Sequence, residues 1–137
     1  MSKETPSASL WLREAKAAAA AADCGMYLLH NGVVRKSAKK TARDGEAAPE
    51  VVGMDFSYDA AKVAKAVEDT ERLPGISCVR VWLNEGRLAV GDDIMYVLVG
   101  GDIRPRVADA LLSLVETIKT KCVSEQELTA ERQERTI

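Results

Sequence analysis

A predicted helix opens beside Gly100-Gly101-Asp102 and closes on Ile118-Lys119-Thr120-Lys121, which puts positive charge at both of its ends. At the first end, free backbone N–H groups and the helix dipole attract an anion, and Arg104 adds a bidentate donor for the same charge. The glycine pair lacks the spacing of a P-loop or a dinucleotide fingerprint, so it reads as an anion cradle of no particular kind. At the far end, Lys119 and Lys121 admit two readings: they complement the helix dipole and solvate the surface, or they hold an anionic substrate.

No nucleophile or metal set competes with that chemistry. His30 is the only histidine, lies within a strand pattern, and reads as a core or strand-edge residue. The three cysteines, Cys24, Cys78 and Cys122, are odd in number and have no Cys-x-x-Cys spacing, so neither a disulfide framework nor a zinc site is expected. Cys78 reads as a small buried hydrophobe, and Cys122, three residues past Lys119, as incidental to the chemistry. Nineteen basic residues against 21 acidic ones give a net charge of -2, which argues against nucleic acid as the partner and makes any anion site local. The polar start of the chain and the short alanine run 17–22 give no targeting or membrane segment, and the expected location is the reducing cytoplasm.

The elements that must position these residues follow from pattern. With 137 residues, 47% hydrophobic and 29% charged, the chain is sized for one domain, 1–137, with a core of its own. A helix is expected from about residue 9 into the alanine run, with Leu10, Trp11 and Ala18 as its apolar face. Residues 26–34 mix aromatic and branched side chains around Asn31-Gly32, as in a strand with a bulge. Arg35, Lys36, Lys39, Lys40 and Arg43 then precede a turn at Asp44-Gly45, so 36–50 reads as a mobile basic loop, either solvated or gripping an anion.

A short strand is expected over 51–56, followed by a helix capped by Asp59 and carried to about residue 71 by Ala60, Val63, Ala64 and Val67. Residues 76–83 alternate as a strand, Asn84-Glu85-Gly86 turn the chain into 87–90 in hairpin fashion, and the apolar run 94–99 is the central strand. Asp102 is the expected N-cap of the last helix, with Pro105 in its first turn and Val107, Ala110, Leu111, Leu114 and Ile118 on one packed face. Residues 124–135 read as a frayed helix or an arm ordered by a partner, and 1–7 and about 129–137 as flexible ends. Irregularly interleaved helices and strands define an α+β domain.

Gly32-Val33-Val34-Arg35, Met54-Asp55-Phe56, Gly86-Arg87-Leu88, Gly91-Asp92-Asp93-Ile94, Arg104 and Ile118-Lys119-Thr120-Lys121 follow one another in a telling order. Over about residues 25–121 that order resembles the large, catalytic subunit of molybdopterin synthase, the MoaE family, with its G-x-V-R, G-E-L, G-D-E-I and L-K-T-R motifs. The resemblance implies an α/β hammerhead-like fold, a mainly antiparallel sheet with flanking helices, and a homodimer within a heterotetramer. It implies a ubiquitin-like, MoaD-like small subunit whose thiocarboxylated Gly-Gly tail enters the site. There, sulfur passes to cyclic pyranopterin monophosphate in two rounds, building the dithiolene with no metal or bound cofactor. Lys119 falls on the family's catalytic lysine, and Arg35 and Arg104 fall on residues of its basic pocket, for substrate phosphate or pterin. By the same resemblance, the three are expected to converge on one pocket, with room for a contribution from a neighbouring subunit.

Departures from the family pattern concern the same pocket. Ile103 stands where the family has a histidine, and Gln126 where it has a second lysine; Lys36-Ser37 and Leu83-Asn84 replace histidine-bearing pairs. Lys121 and Lys36 are the candidates to replace a missing charge. Two functions stay open: a divergent sulfur-transferring enzyme, and a catalytically degenerate paralogue serving as a binding or regulatory subunit.

Overall fold

The computed structural model describes residues 3–130. In chain order these form α1 (Ala8–Ala17), a 3-10 turn (Ala19–Asp23), β1 (Met26–Val33), α2 (Lys39–Asp44), β2 (Gly53–Tyr58) and α3 (Ala60–Glu71). β3 (Ile76–Leu83), β4 (Gly86–Ala89), β5 (Asp93–Gly101), α4 (Arg104–Thr117), a π-helical turn (Ile118–Cys122) and β6 (Val123–Leu128) follow. The strands make two three-stranded sheets, β1-β5-β3 and β4-β2-β6, with every pair antiparallel. The domain is α+β, as the interleaved pattern predicts.

β5 is central to its sheet because residues 94–99 are apolar on both faces. On one face Met95, Val97 and Val99 join Val107, Leu111, Leu114 and Ile118 in a single buried core. On the other, Tyr96 stands edge-on to Trp82 and to Trp11 of α1, with ring centroids 5.9 and 6.0 Å apart. The Arg80 guanidinium covers the Trp11 ring at 4.7 Å while pairing with Glu14. The bulge expected near Asn31-Gly32 lies between Gly32 and Val33. Asp59 caps α3, accepting from the Ala61 and Lys62 N–H groups at 3.0 and 3.2 Å.

Several local expectations give way to tertiary contacts. Asn84-Glu85 do not close a hairpin: β3 pairs with β5 and β4 with β2, so these residues carry the chain from one sheet to the other. Asn84 is 2% exposed. Its Nδ2 donates to the Asp93 carbonyl, and its Oδ1 accepts from the Glu85 and Lys3 amides, so the buried amide is satisfied at the crossing. Lys3 also donates to the Tyr58 hydroxyl, which ties residues 3–5, read as part of a flexible end, to the fold. Residues 124–128, read as a frayed helix or arm, pair with β2 as β6, while 131–137 lie outside the described residues.

The basic segment contains α2. The Glu127 carboxylate accepts from the Lys39 N–H at 2.9 Å at its start, and Gly45, at φ 71°, ends it in the left-handed conformation that glycine adopts freely. Asp102 is not the N-cap of α4, whose cap position is Ile103; Asp102 accepts instead from the Ile103 N–H and the Arg106 guanidinium, both at 2.7 Å. Gly100 and Gly101 form no anion cradle. Both lie within β5 and pair with β1 and β3 on either side, so their backbone groups belong to the sheet.

Candidate functional site

A cavity of about 800 Å³ opens where the end of β1, α2, the π-helical turn and β6 meet. Arg35, Lys39, Arg43 and Lys119 face it with Glu125 and Glu127, so fixed positive charge exceeds negative. His30, Gln126 and the apolar side chains of Val51, Met54, Ile94 and Met95 complete the lining. Such a site, part apolar wall and part convergent cations, suits an organic anion better than a bare ion.

Lys119 enters from the π-helical turn, directly after Ile118, which is buried in the core and anchors that turn. Its Nζ lies 3.9 Å from Glu125 Oε1, and the lysine side chain is 41% exposed against 18% for the glutamate. Glu125 Oε1 is buried and accepts no hydrogen bond from the described residues. The carboxylate therefore has the lysine charge as compensation without a direct donor. His30 sits on the face of β1 that carries Leu28 and Gly32, opposite the buried Val97. Burial, and then the Lys119 charge, hold its pKa below the ordinary histidine value. At neutral pH the imidazole is uncharged, able to accept a proton.

The other expected site residues are dispersed. Arg35 lines the cavity, and its Nε donates to the Ser37 carbonyl at 3.0 Å. Arg104 does not line it. It begins α4, whose 14 residues set it about 20 Å from the turn that carries Lys119. Lys121 belongs to a separate recess with Tyr58, Asp59, Lys62 and Cys122. Lys36 is largely exposed and pairs with Glu50 at 3.8 Å. Burial pushes the Cys122 thiol up, and it shares the Lys121 recess rather than the cavity, so it is not placed to relay sulfur at Lys119. Among the described residues, no group of three or more His, Cys, Asp or Glu side chains is arranged to hold a metal ion. No helix among them is long and apolar enough to cross a membrane.

A family model described as MoaE protein matches residues 6–121. The chain belongs to the MoaE family. Solved structures agree in fold: the molybdopterin synthase from Staphylococcus aureus aligns with a TM-score of 0.70 at 17% identity, covering 92% of this chain and 88% of that one. The molybdopterin biosynthesis MoaE protein from Burkholderia ambifaria MC40-6 gives 0.67 at 19% identity, covering 94% and 81%. A complex of subunits 1 and 2 of molybdopterin-converting factor from Helicobacter pylori 26695 gives 0.64 at 16%, covering 89% and 75%. No curated protein matches the sequence.

The MoaE match ends at Lys121, and β6 begins at Val123, so one wall of this cavity lies beyond the matched residues. That wall is what sequence reasoning missed. Glu125 and Glu127 sit in a strand whose only apolar residues are Val123 and Leu128, and its alternation is too weak to read. Lys39 and Arg43 were visible as basic residues, but the helix that presents them depends on Glu127, far off in the chain. His30 carried a signal that points to the core equally well: a polar residue on the inner face of a strand.

Proposed function

We propose that this MoaE protein acts in molybdenum cofactor biosynthesis as the sulfur-transferring large subunit of a molybdopterin synthase. The observation that carries the reading is the shared cavity of Lys119 and Arg35, the positions that resemble the family's catalytic lysine and one of its basic pocket residues. A thiocarboxylate and a pterin phosphate are both anions. Arg35, Lys39 and Arg43 on one side supply positive charge for the phosphate, while Lys119 polarises the acyl oxygen of a Gly-Gly thiocarboxylate supplied by a ubiquitin-like small subunit. Each round moves one sulfur to cyclic pyranopterin monophosphate, and two rounds complete the dithiolene.

Arg104 joins such a site from a second copy of the chain, since its own Lys119 is a helix length away. The proposed assembly is therefore a homodimer of large subunits with two small subunits, acting in the cytoplasm. Lys121 and Lys36 are given no contact with the reacting atoms, since Lys121 belongs to a separate recess and Lys36 pairs with Glu50.

The degenerate-subunit reading has one observation in its favour: Gln126 stands where a second lysine is expected, flanked in this cavity by Glu125 and Glu127. Purified protein mixed with thiocarboxylated small subunit and cyclic pyranopterin monophosphate separates the two. The enzyme reading requires dithiolene product, lost in Lys119→Ala. Tail binding without product in the wild type would leave the binding-subunit reading standing alone.

A further inference from the structure

We propose that His30 is the base that activates water in this cavity, a role that rests on the sulfur-transfer reading above. When a thiocarboxylate bonds through sulfur to a pterin carbon, the small subunit becomes tethered through a thioester. Releasing it takes one water. The water oxygen bonds to the acyl carbon, the acyl carbon–sulfur bond breaks, and its electron pair stays on sulfur. One water proton ends on that sulfur as the pterin thiol, and the other is released as the tail becomes a carboxylate. Nothing is oxidised or reduced, but the attacking water must give up a proton as it bonds, and a base must stand beside the acyl group to take it.

Three observations converge on His30. It lines the same cavity as Lys119, near enough to feel the lysine's charge, so a group polarised by the ammonium shares its space with the imidazole. Its ring reaches along the strand to Gly32, where a Cβ would stand 3.8 Å from Nε2, so glycine at that position keeps a side chain off that edge of the imidazole. The ring is uncharged at neutral pH for the reasons given above, so its proton-accepting form is the one present.

The charged groups that face the cavity with it are Lys119 on the π-helical turn, Arg35, Lys39 and Arg43 after β1, and Glu125 and Glu127 on β6. The cations cannot accept a proton in their charged forms. Glu127 accepts from the Lys39 amide and Glu125 is turned toward Lys119, so both carboxylates have other partners. The imidazole takes the water proton and returns it to the departing sulfur, while Lys119 stabilises charge on the acyl oxygen.

The test uses full-length untagged protein, a ubiquitin-like small subunit bearing a Gly-Gly thiocarboxylate, and cyclic pyranopterin monophosphate, in single turnovers from pH 5 to 8. Dithiolene product and the covalent small subunit–pterin adduct are followed together by mass spectrometry. His30→Gln and His30→Phe are expected to bind the small subunit as the wild type does and to form the adduct. They should release it about 10²-fold more slowly or worse, and lose the wild type's fall in rate on the acid side. Wild-type release rates with an unchanged acid limb in both variants would overturn the assignment and leave the sulfur-transfer reading intact. An acid limb that persists in His30→Gln but disappears in Glu125→Gln would give the role to the carboxylate. A wild type that forms neither adduct nor product would overturn both readings.

Discussion

Lys119 Nζ and Glu125 Oε1 stand 3.9 Å apart, close enough to share charge and too far to share a hydrogen bond. The lysine is oriented by the carboxylate without being neutralised by it. An anion entering the cavity competes with Glu125 for one ammonium, so the resting site carries a built-in rival to its substrate.

Removing that rival should strengthen anion binding. Glu125→Gln keeps the shape of the side chain and deletes its charge. Affinity for a peptide ending in a Gly-Gly carboxylate is expected to rise roughly 3- to 10-fold, equivalent to about 1 kcal/mol for a partly exposed pair, with the gain shrinking at high salt. Calorimetric titration at two salt concentrations measures both, and equal affinities would show that the pair does not compete with ligand.

Glu127 ties β6 to the first turn of α2. Glu127→Ala should cost the short helix about 1 kcal/mol of local stability, as loss of a cap does. Hydrogen exchange at residues 42–45, whose amides are bonded within or just after α2, should quicken several-fold while exchange in β5 stays as it was. Uniform acceleration across the chain would mean that the contact supports the whole domain instead.

His30 should also mark stability in acid. Its pKa in the folded protein lies below the ordinary value of about 6.5, because burial and then Lys119 disfavour its charged form. The unfolded chain therefore binds the proton more tightly than the folded one. The stability linked to neutral His30 is complete above about pH 6.5 and drains away as pH falls through the folded value. Since His30 is the only histidine, thermal melts of untagged protein between pH 8 and 5 should decline on acidification, and His30→Gln should decline less. Parallel curves would rule the linkage out.

Gly101 packs where no side chain fits. A Cβ there would collide with the Gly75 carbonyl oxygen and approach Val107 Cγ2 to 2.8 Å. Gly101→Ala is expected to destabilise by about 1–3 kcal/mol, the ordinary cost of overpacking, and to lower the urea midpoint with little change in slope. An unchanged midpoint would show that the β5–α4 junction yields freely.

What the sequence made legible were elements whose causes are local. Asp59 carries its own capping signal, residues 94–99 their own apolar run, and β3 its alternation, and each lies where pattern places it. What it hid depends on partners distant in the chain. The crossing at Asn84 looks like a hairpin turn until its amide is seen to bond Lys3 and Asp93. The Gly100-Gly101 pair looks like a cradle because glycine permits close approach, and here the approaching groups are Tyr27 and Gly75 rather than an anion. The site was half legible: Lys119 and Arg35 share a cavity, whereas Arg104 and Lys121 lie elsewhere and β6 escaped notice.

The strand pairing bears on how this chain is made. Met26 pairs with Gly101 and Gly53 with Leu128, in each case across more than half of the polypeptide. As the ribosome delivers the chain from its N-terminus, β1 and β2 emerge long before β5 and β6 exist to cover them. The β1-β5-β3 sheet is complete only once β5 has been made and the β4-β2-β6 sheet only once β6 has, and the loops to be closed are long, which slows folding. The nascent protein spends that interval with strand edges and apolar faces bare, the period in which it depends most on chaperones.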